Sequence, residues 1–239
     1  MSAFQESLRA QFPGAQDESI FLARSYAALS AHGFRSANTL TCVGVCRDEL
    51  CRSLVWKARD VWGEAFNFSS LGGMLTLGTA GFRAAHYHAP IADGRERYLY
   101  IVMPHIGIGE SGEFGSCVRA GRHGSSAACG ALTSVLEELH GGGLDLTLDH
   151  DNIEYSLLKE HLAPRVSVEK TPDIASLTHT MSALIYDELE HMIDLTVDLK
   201  VADYAVITGV QIHRPVSGSM VWVNQSYACV QGRRYPLAL

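Results

Sequence analysis

Apolar positions along the chain switch repeatedly between a helical period and a strand period. Residues 17–32, DESIFLARSYAALSAH, carry Ile20, Leu22, Tyr26 and Leu29 at roughly helical spacing, with Asp17 placed to cap the start and Gly33 to end it. Residues 39–45, TLTCVGV, read as a strand. Helical spacing returns over 48–62 through Leu50, Leu54, Val55, Ala58, Val61 and Trp62. Residues 66–84 are rich in glycine and predict tight turns; no Gly-Lys-Ser/Thr follows, so they are not a phosphate loop. Residues 97–103, RYLYIVM, predict a second strand, and 109–124 a polar loop. A helix is expected over 125–140, capped by Ser125 or Ser126 and stopped by Gly141. Further helices are expected over 152–162 and 173–198, the acids at 187, 188 and 190 on a solvated face. Two strands, 202–212 and 219–230, are spaced as an antiparallel hairpin through His213, Arg214 and Pro215.

Strands and helices alternate with no repeat, low-complexity tract or linker, so the reading is one α/β domain over residues 1–239. Composition sharpens this. The chain is 47% apolar but only 19% charged, which points to a large core or a covered subunit face. Acids outnumber bases, 26 to 19, and no Lys/Arg cluster appears, so neither nucleic acid nor an anionic membrane surface is an expected partner. No apolar run is long enough to span a bilayer, and the N-terminal residues do not form a secretory signal. The expected compartment is the cytoplasm, or an organelle stroma if a transit peptide has been removed.

The six cysteines, at 42, 46, 51, 117, 129 and 229, form no CxxC pair. In a reducing compartment such thiols are free, metal-binding or catalytic. Cys46 falls just past the first strand, where open α/β sheets place ligands, and ahead of a helix start that favours thiolate. His105 falls just past the 97–103 strand and Cys129 in the first turns of a helix. Two thiolates and an imidazole suit zinc and leave a fourth position open. His86, His88 and Cys117 are spare donors that would close the site if one joined it. The ordinary alternative for any one of these residues is a buried packing cysteine or a hydrogen-bonded core histidine.

Four blocks carry a resemblance: CRDEL at 46–50, GGMLTLGTAGFRAAHYHAP at 72–90, PHIGIGESGEFG at 104–115 and RAGRHGSSAACGAL at 119–132. Together and in this order they resemble the limiting-carbon-dioxide-inducible B/C proteins, a family related to β-class carbonic anhydrases. The resemblance implies a β-carbonic-anhydrase-like α/β fold, a mixed sheet with a parallel core flanked by helices. It implies zinc held by Cys46, His105 and Cys129, interconversion of CO2 and bicarbonate through a zinc-bound hydroxide, and an acid at Asp48 that orients the water or swings onto the metal. A homodimer is also implied.

The β class pairs that acid with an arginine two residues on, where this chain has Leu50. Arg52, Arg83 and Arg119 are the candidate replacements, with Arg119 favoured because it lies in a matching block. His88 is the favoured proton shuttle, since imidazole titrates in the right range, and Gly73, Phe82 and Tyr87 are candidate walls for a small apolar substrate. Three readings compete, one of them a redox-sensing thiol protein, which would require a Cys46 reactivity that metal removal does not change. A cytidine-type deaminase also uses His/Cys/Cys zinc, but its H-x-E and P-C-x-x-C strings are absent. A non-catalytic zinc-binding subunit or partner in a carbon-concentrating system is kept because of Leu50.

Overall fold

A computed structural model describes residues 1–119 and 121–239. Along the chain come helix α1 (Ala3–Gln11), strand β1 (Gln16–Asp17), α2 (Glu18–Ser30) and β2 (Leu40–Gly44). A single 3-10 turn, Glu49–Cys51, leads into α3 (Arg52–Trp62) and β3 (Ala65–Asn67). Then follow α4 (Gly78–His86), β4 (Ile91–Ala92), β5 (Arg95–Val102), β6 (His105–Gly107), β7 (Ser116–Val118) and β8 (Ser125–Ala127). The remainder is α5 (Gly130–His140), α6 (Ile153–Leu162), α7 (Ile174–Thr196), β9 (Ala202–His213), β10 (Ser219–Val230) and β11 (Arg233–Pro236).

One mixed sheet runs β1-β10-β9-β5-β2-β3, and β6 continues beside β9 past the end of β5. The centre is parallel: β3, β2, β5, β9 and β6 all point the same way. β10 then closes it antiparallel to β9 as the expected hairpin. Central parallel strands are covered on both faces, which is why β2 and β9 are buried at every residue and read as near-continuous apolar runs. Helix α2 packs on α3, while α7 gathers α4, α5 and α6 around it and lies along β9. The carboxyl ends of β2 and β5 are level, with Gly44 opposite Val102. Cys46 and His105 leave from that edge.

Three expectations need correcting. The 66–84 segment does turn tightly at Gly72 and Gly73, but it also contains α4, whose inward face is Phe82, Ala85 and His86. Helix α5 starts five residues later than its serines suggested. Ser125–Ala127 pairs with Ser116–Val118 instead, so the expected 109–124 loop is partly a hairpin, and Cys129 takes the N-cap position. The acids of α7 are not uniformly solvated: Glu190 takes an ion pair from Arg234 and a hydrogen bond from Tyr227, and Glu188 one from His161.

Candidate metal centre

Each of the three expected donors is fixed by backbone bonds to a neighbour. Cys46 bridges to Ser70: the Ser70 N–H donates to Val45 O at 3.2 Å and the Arg47 N–H donates to Ser70 O at 3.1 Å. His105 opens β6 in parallel register with Gln211. Cys129 is tied to the same strand, because the Gly107 N–H donates to Ala128 O at 3.0 Å and the Ala128 N–H to Gly115 O at 3.0 Å. Gly107 has to be glycine here, since a Cβ would run into the Ser116 carbonyl. The Ala128–Cys129 peptide is cis.

These constraints bring Cys46 Sγ, His105 and Cys129 Sγ to within 4.8 Å of one another, all buried. The two sulfurs are 3.8 Å apart. That is close to the edge of a tetrahedron with zinc–sulfur bonds of about 2.3 Å. His105 Nε2 is buried with no hydrogen-bond partner among the described residues. An unpaired buried polar atom is costly, and a metal between the two sulfurs would satisfy it. The donor set therefore fits zinc in chemistry and in spacing. Without metal, the Cys129 thiol's hydrogen bond and the nearby His105 hold Cys46 low, at about 4, against its burial. The same bond and burial push Cys129 up.

Asp48 sits at the lip. It caps the 3-10 turn by accepting the Leu50 N–H at 3.1 Å. Arg119 grips it with both ends of the guanidinium: Nη1 donates to Oδ1 at 2.9 Å and Nη2 to Oδ2 at 2.8 Å. Arg119 is itself held by Ser126 Oγ at 2.8 Å, Ala127 O at 2.9 Å and Glu49. Burial raises the Asp48 carboxyl, but the Arg119 and Leu50 hydrogen bonds outweigh it and hold the group well below the ordinary carboxylate range. Asp48 Oδ2 is 3.9 Å from His105 Nε2, and the carboxylate does not belong to the close donor group. Of the three candidate arginines, Arg119 is thus the one paired with Asp48. A cleft of about 530 Å³ opens on Cys46 and Asp48, lined also by Val45, Val55, Trp56 and Asn67.

His88 is not brought here within one chain. It is exposed and lies against Phe66, in a cleft shared with Thr39, Leu40 and Trp62. Those residues mark the amino end of β2, whereas Cys46 follows its carboxyl end, so the parallel strand separates them. Tyr87 is 90% exposed and Phe82 packs on Phe68 and Tyr100 in the core, so neither walls the site. Gly73 does lie against the Met103–Pro104 backbone that precedes His105. His86 is a core histidine, bonded to the Tyr100 hydroxyl at 2.7 Å. Cys117 hydrogen-bonds along its own hairpin to Ser126, and among the described residues it is not in the donor group.

Sequence reasoning missed His213, read only as part of a turn. Its Nε2 is 2.9 Å from His105 Nδ1 and 4.0 Å from Cys51 Sγ, and its Nδ1 is 2.8 Å from Ser219 Oγ. Burial, reinforced by the neighbouring His105, holds it down to about 3 and so neutral. Its position two residues beyond Gln211 on β9 depends on strand pairing, which leaves no local signal.

A family profile described as limiting CO2-inducible proteins B/C beta carbonic anhydrases matches residues 15–231. The fold is similar to the crystal structure of the limiting CO2-inducible protein LCIB, at 33% identity and TM-score 0.80 over 97% of each chain. It is also similar to that of PtLCIB4, a homologue of LCIB, at 22% identity and TM-score 0.85 over 98% of this chain and 100% of that one. A mutant of PtLCIB4 superposes at TM-score 0.87, with 22% identity and 99% of each chain covered. No match is found among curated proteins.

Proposed function

The chain belongs to the limiting CO2-inducible B/C family of proteins related to beta carbonic anhydrases, and from that premise we propose that it is a zinc carbonic anhydrase interconverting CO2 and bicarbonate. The observation that carries the proposal is the convergence of Cys46, His105 and Cys129 beside an Asp48 that Arg119 holds. Bound to these three donors, zinc supplies the Lewis acidity that turns water into a nucleophile near neutral pH.

The chain's own residues do the rest. Arg119 keeps Asp48 ionised and turned aside, so that a carboxylate oxygen accepts a hydrogen from the attacking water and points its lone pair at the carbon of CO2. Fixing that geometry in advance is worth more than the bare hydrogen bond. The cleft walls, Val45, Val55 and Trp56, suit a small apolar substrate, and Asn67, Arg47 and Arg52 in the same lining suit the bicarbonate anion that leaves. No helix among the described residues is long and apolar enough to cross a membrane. A homodimer in the cytoplasm or an organelle stroma completes the reading; exposed Trp56, at 60%, beside the cleft suits a subunit contact there.

Stopped-flow CO2 hydration on metal-analysed protein tests the proposal, with Cys46→Ala and Asp48→Ala beside the native chain. One zinc per chain is expected, with hydration lost in both variants and zinc lost only in the first. Zinc without hydration at any pH or reductant level would instead make the chain a non-catalytic zinc-binding subunit.

A further inference from the structure

Beyond the three donors, the geometry points to His213 as a positioning residue that, backed by Ser219, locks His105 in the tautomer a metal needs. The inference rests on the metal reading above. His105 faces the sulfurs with Nε2 and faces His213 with Nδ1. A metal takes the Nε2 lone pair, so the ring hydrogen must sit on Nδ1. At 2.9 Å from His213 Nε2, that Nδ1–H has one acceptor. With its Nε2 accepting, His213 then carries its own hydrogen on Nδ1 and donates it to Ser219 Oγ at 2.8 Å. Ligating histidines generally have such an outer partner, most often a carboxylate or a backbone carbonyl. Here it is a second imidazole, and the choice has consequences.

A carboxylate at this place would add negative charge beside two thiolates, which already cancel a divalent ion. A neutral imidazole orients the ligand without adding charge. Ser219 extends the arrangement, because a hydroxyl both donates and accepts. With Ser219 donating to His213 Nδ1, the two rings can shift their hydrogens together, leaving an N–H on His105 Nε2. Asp48 Oδ2, 3.9 Å from that atom, lies on its side of the ring. Ser219, His213 and His105 are all buried, so the chain of bonds changes tautomer with metal occupancy and needs no ion created in the interior. The second close group, Cys51–His105–His213, sets the rival reading, in which His213 is itself a metal ligand through the face that meets His105.

The test is zinc affinity by chelator competition, together with ring-nitrogen NMR of the native protein. His213→Leu, which removes the acceptor, should weaken zinc by about 10–100-fold, the usual cost of losing an outer partner. His213→Gln offers an amide oxygen to His105 and an amide N–H to Ser219, and should recover most of that loss. Native zinc-loaded protein should show hydrogens on Nδ1 of both histidines, a readout that stands even if His213→Leu fails to fold. Unchanged affinity in His213→Leu, or an Nδ1 of either ring without its hydrogen in the loaded protein, overturns the inference. So does a second zinc per chain that Cys51→Ser removes. Native protein that binds no zinc fails the metal reading itself, a different result from zinc bound equally well with and without His213.

Discussion

Arg119 holds Asp48 through two parallel hydrogen bonds, 2.9 and 2.8 Å long, from 71 residues further along the chain. The side chains are 15% and 11% exposed, so the pair is largely withdrawn from water. Ser126 and Ala127 fix the guanidinium from behind, and these belong to the segment that delivers Cys129. The acid and one metal donor are therefore positioned by a single hairpin.

Removing the arginine should uncouple catalysis from metal binding. Arg119→Ala leaves a largely buried carboxylate without its cation, at a cost of about 3 kcal/mol in stability, and lets Asp48 turn toward the donors. Zinc content should stay near one per chain while CO2 hydration falls at least tenfold. Arg119→Lys should restore charge but not activity, because a point-like ammonium lacks the planar fork that makes the two parallel bonds. Metal analysis beside stopped-flow kinetics reads both effects; full activity in the lysine variant would rule out a bidentate requirement.

How far the sequence exposed this arrangement depended on distance along the chain. Cys46, His105 and Cys129 were readable because each follows a strand or opens a helix within a recognisable block. Arg119 could be favoured over Arg52 and Arg83 only through the block it lies in, since it is the β7–β8 pairing that aims it at Asp48. Helix α4 was hidden by its own glycines, which lower helix propensity although burial of Phe82 and Ala85 stabilises the turn. His213 gave no signal: its meaning comes from β6 running parallel to β9, a contact 108 residues in span. His88 is the opposite case within one chain. Its block matched, but α4 carries it to the far end of the strands.

His86 should make stability depend on pH. Its ring stacks on Tyr98 at 4.1 Å and bonds Tyr100, and burial, against a weaker pull from Glu96, lowers it to about 4 from an ordinary 6.5. Arg83 and Asp198 line the same cleft. The unfolded chain thus takes up the proton first. The stabilising difference is complete above about pH 6.5 and is lost as pH falls toward 4. His86→Gln, which keeps a polar partner for Tyr100, should flatten the melting-temperature profile in that window by roughly 1 kcal/mol after allowance for solvent screening. Parallel profiles for the two proteins would show that His86 does not titrate as described.

Gly73 should not tolerate a side chain. Its φ is +80°, and a Cβ would stand 2.7 Å from the Met103 carbonyl oxygen and 3.4 Å from Pro104 Cα. Both neighbours are backbone, so neither can swing away. Gly73→Ala should cost at least about 2 kcal/mol, combining left-handed strain with the clash. The push falls on the residues just before His105, so zinc affinity should drop as well. An alanine variant that melts with the native protein would mean that the 71–73 turn is free to move off the Pro104 segment.

Stripping the metal should destabilise the fold at its centre, because all three donors are buried and come from separate elements: the end of β2, the start of β6 and the cap of α5. Zinc binds the assembled donors far better than the unfolded chain, so it adds stability by mass action, about 4 kcal/mol when free zinc is a thousand times its dissociation constant. For a chain of 239 residues that corresponds to a melting temperature lower by about 10 °C after chelation. Adding zinc back should restore it, and Cys129→Ser should melt near the stripped protein with or without zinc. Calorimetry on loaded, stripped and reloaded samples in reductant checks this. Reductant matters because the stripped sulfurs, 3.8 Å apart, are placed for oxidation to each other. A stripped protein as stable as the loaded one would show that the three residues meet for packing and not to hold a metal.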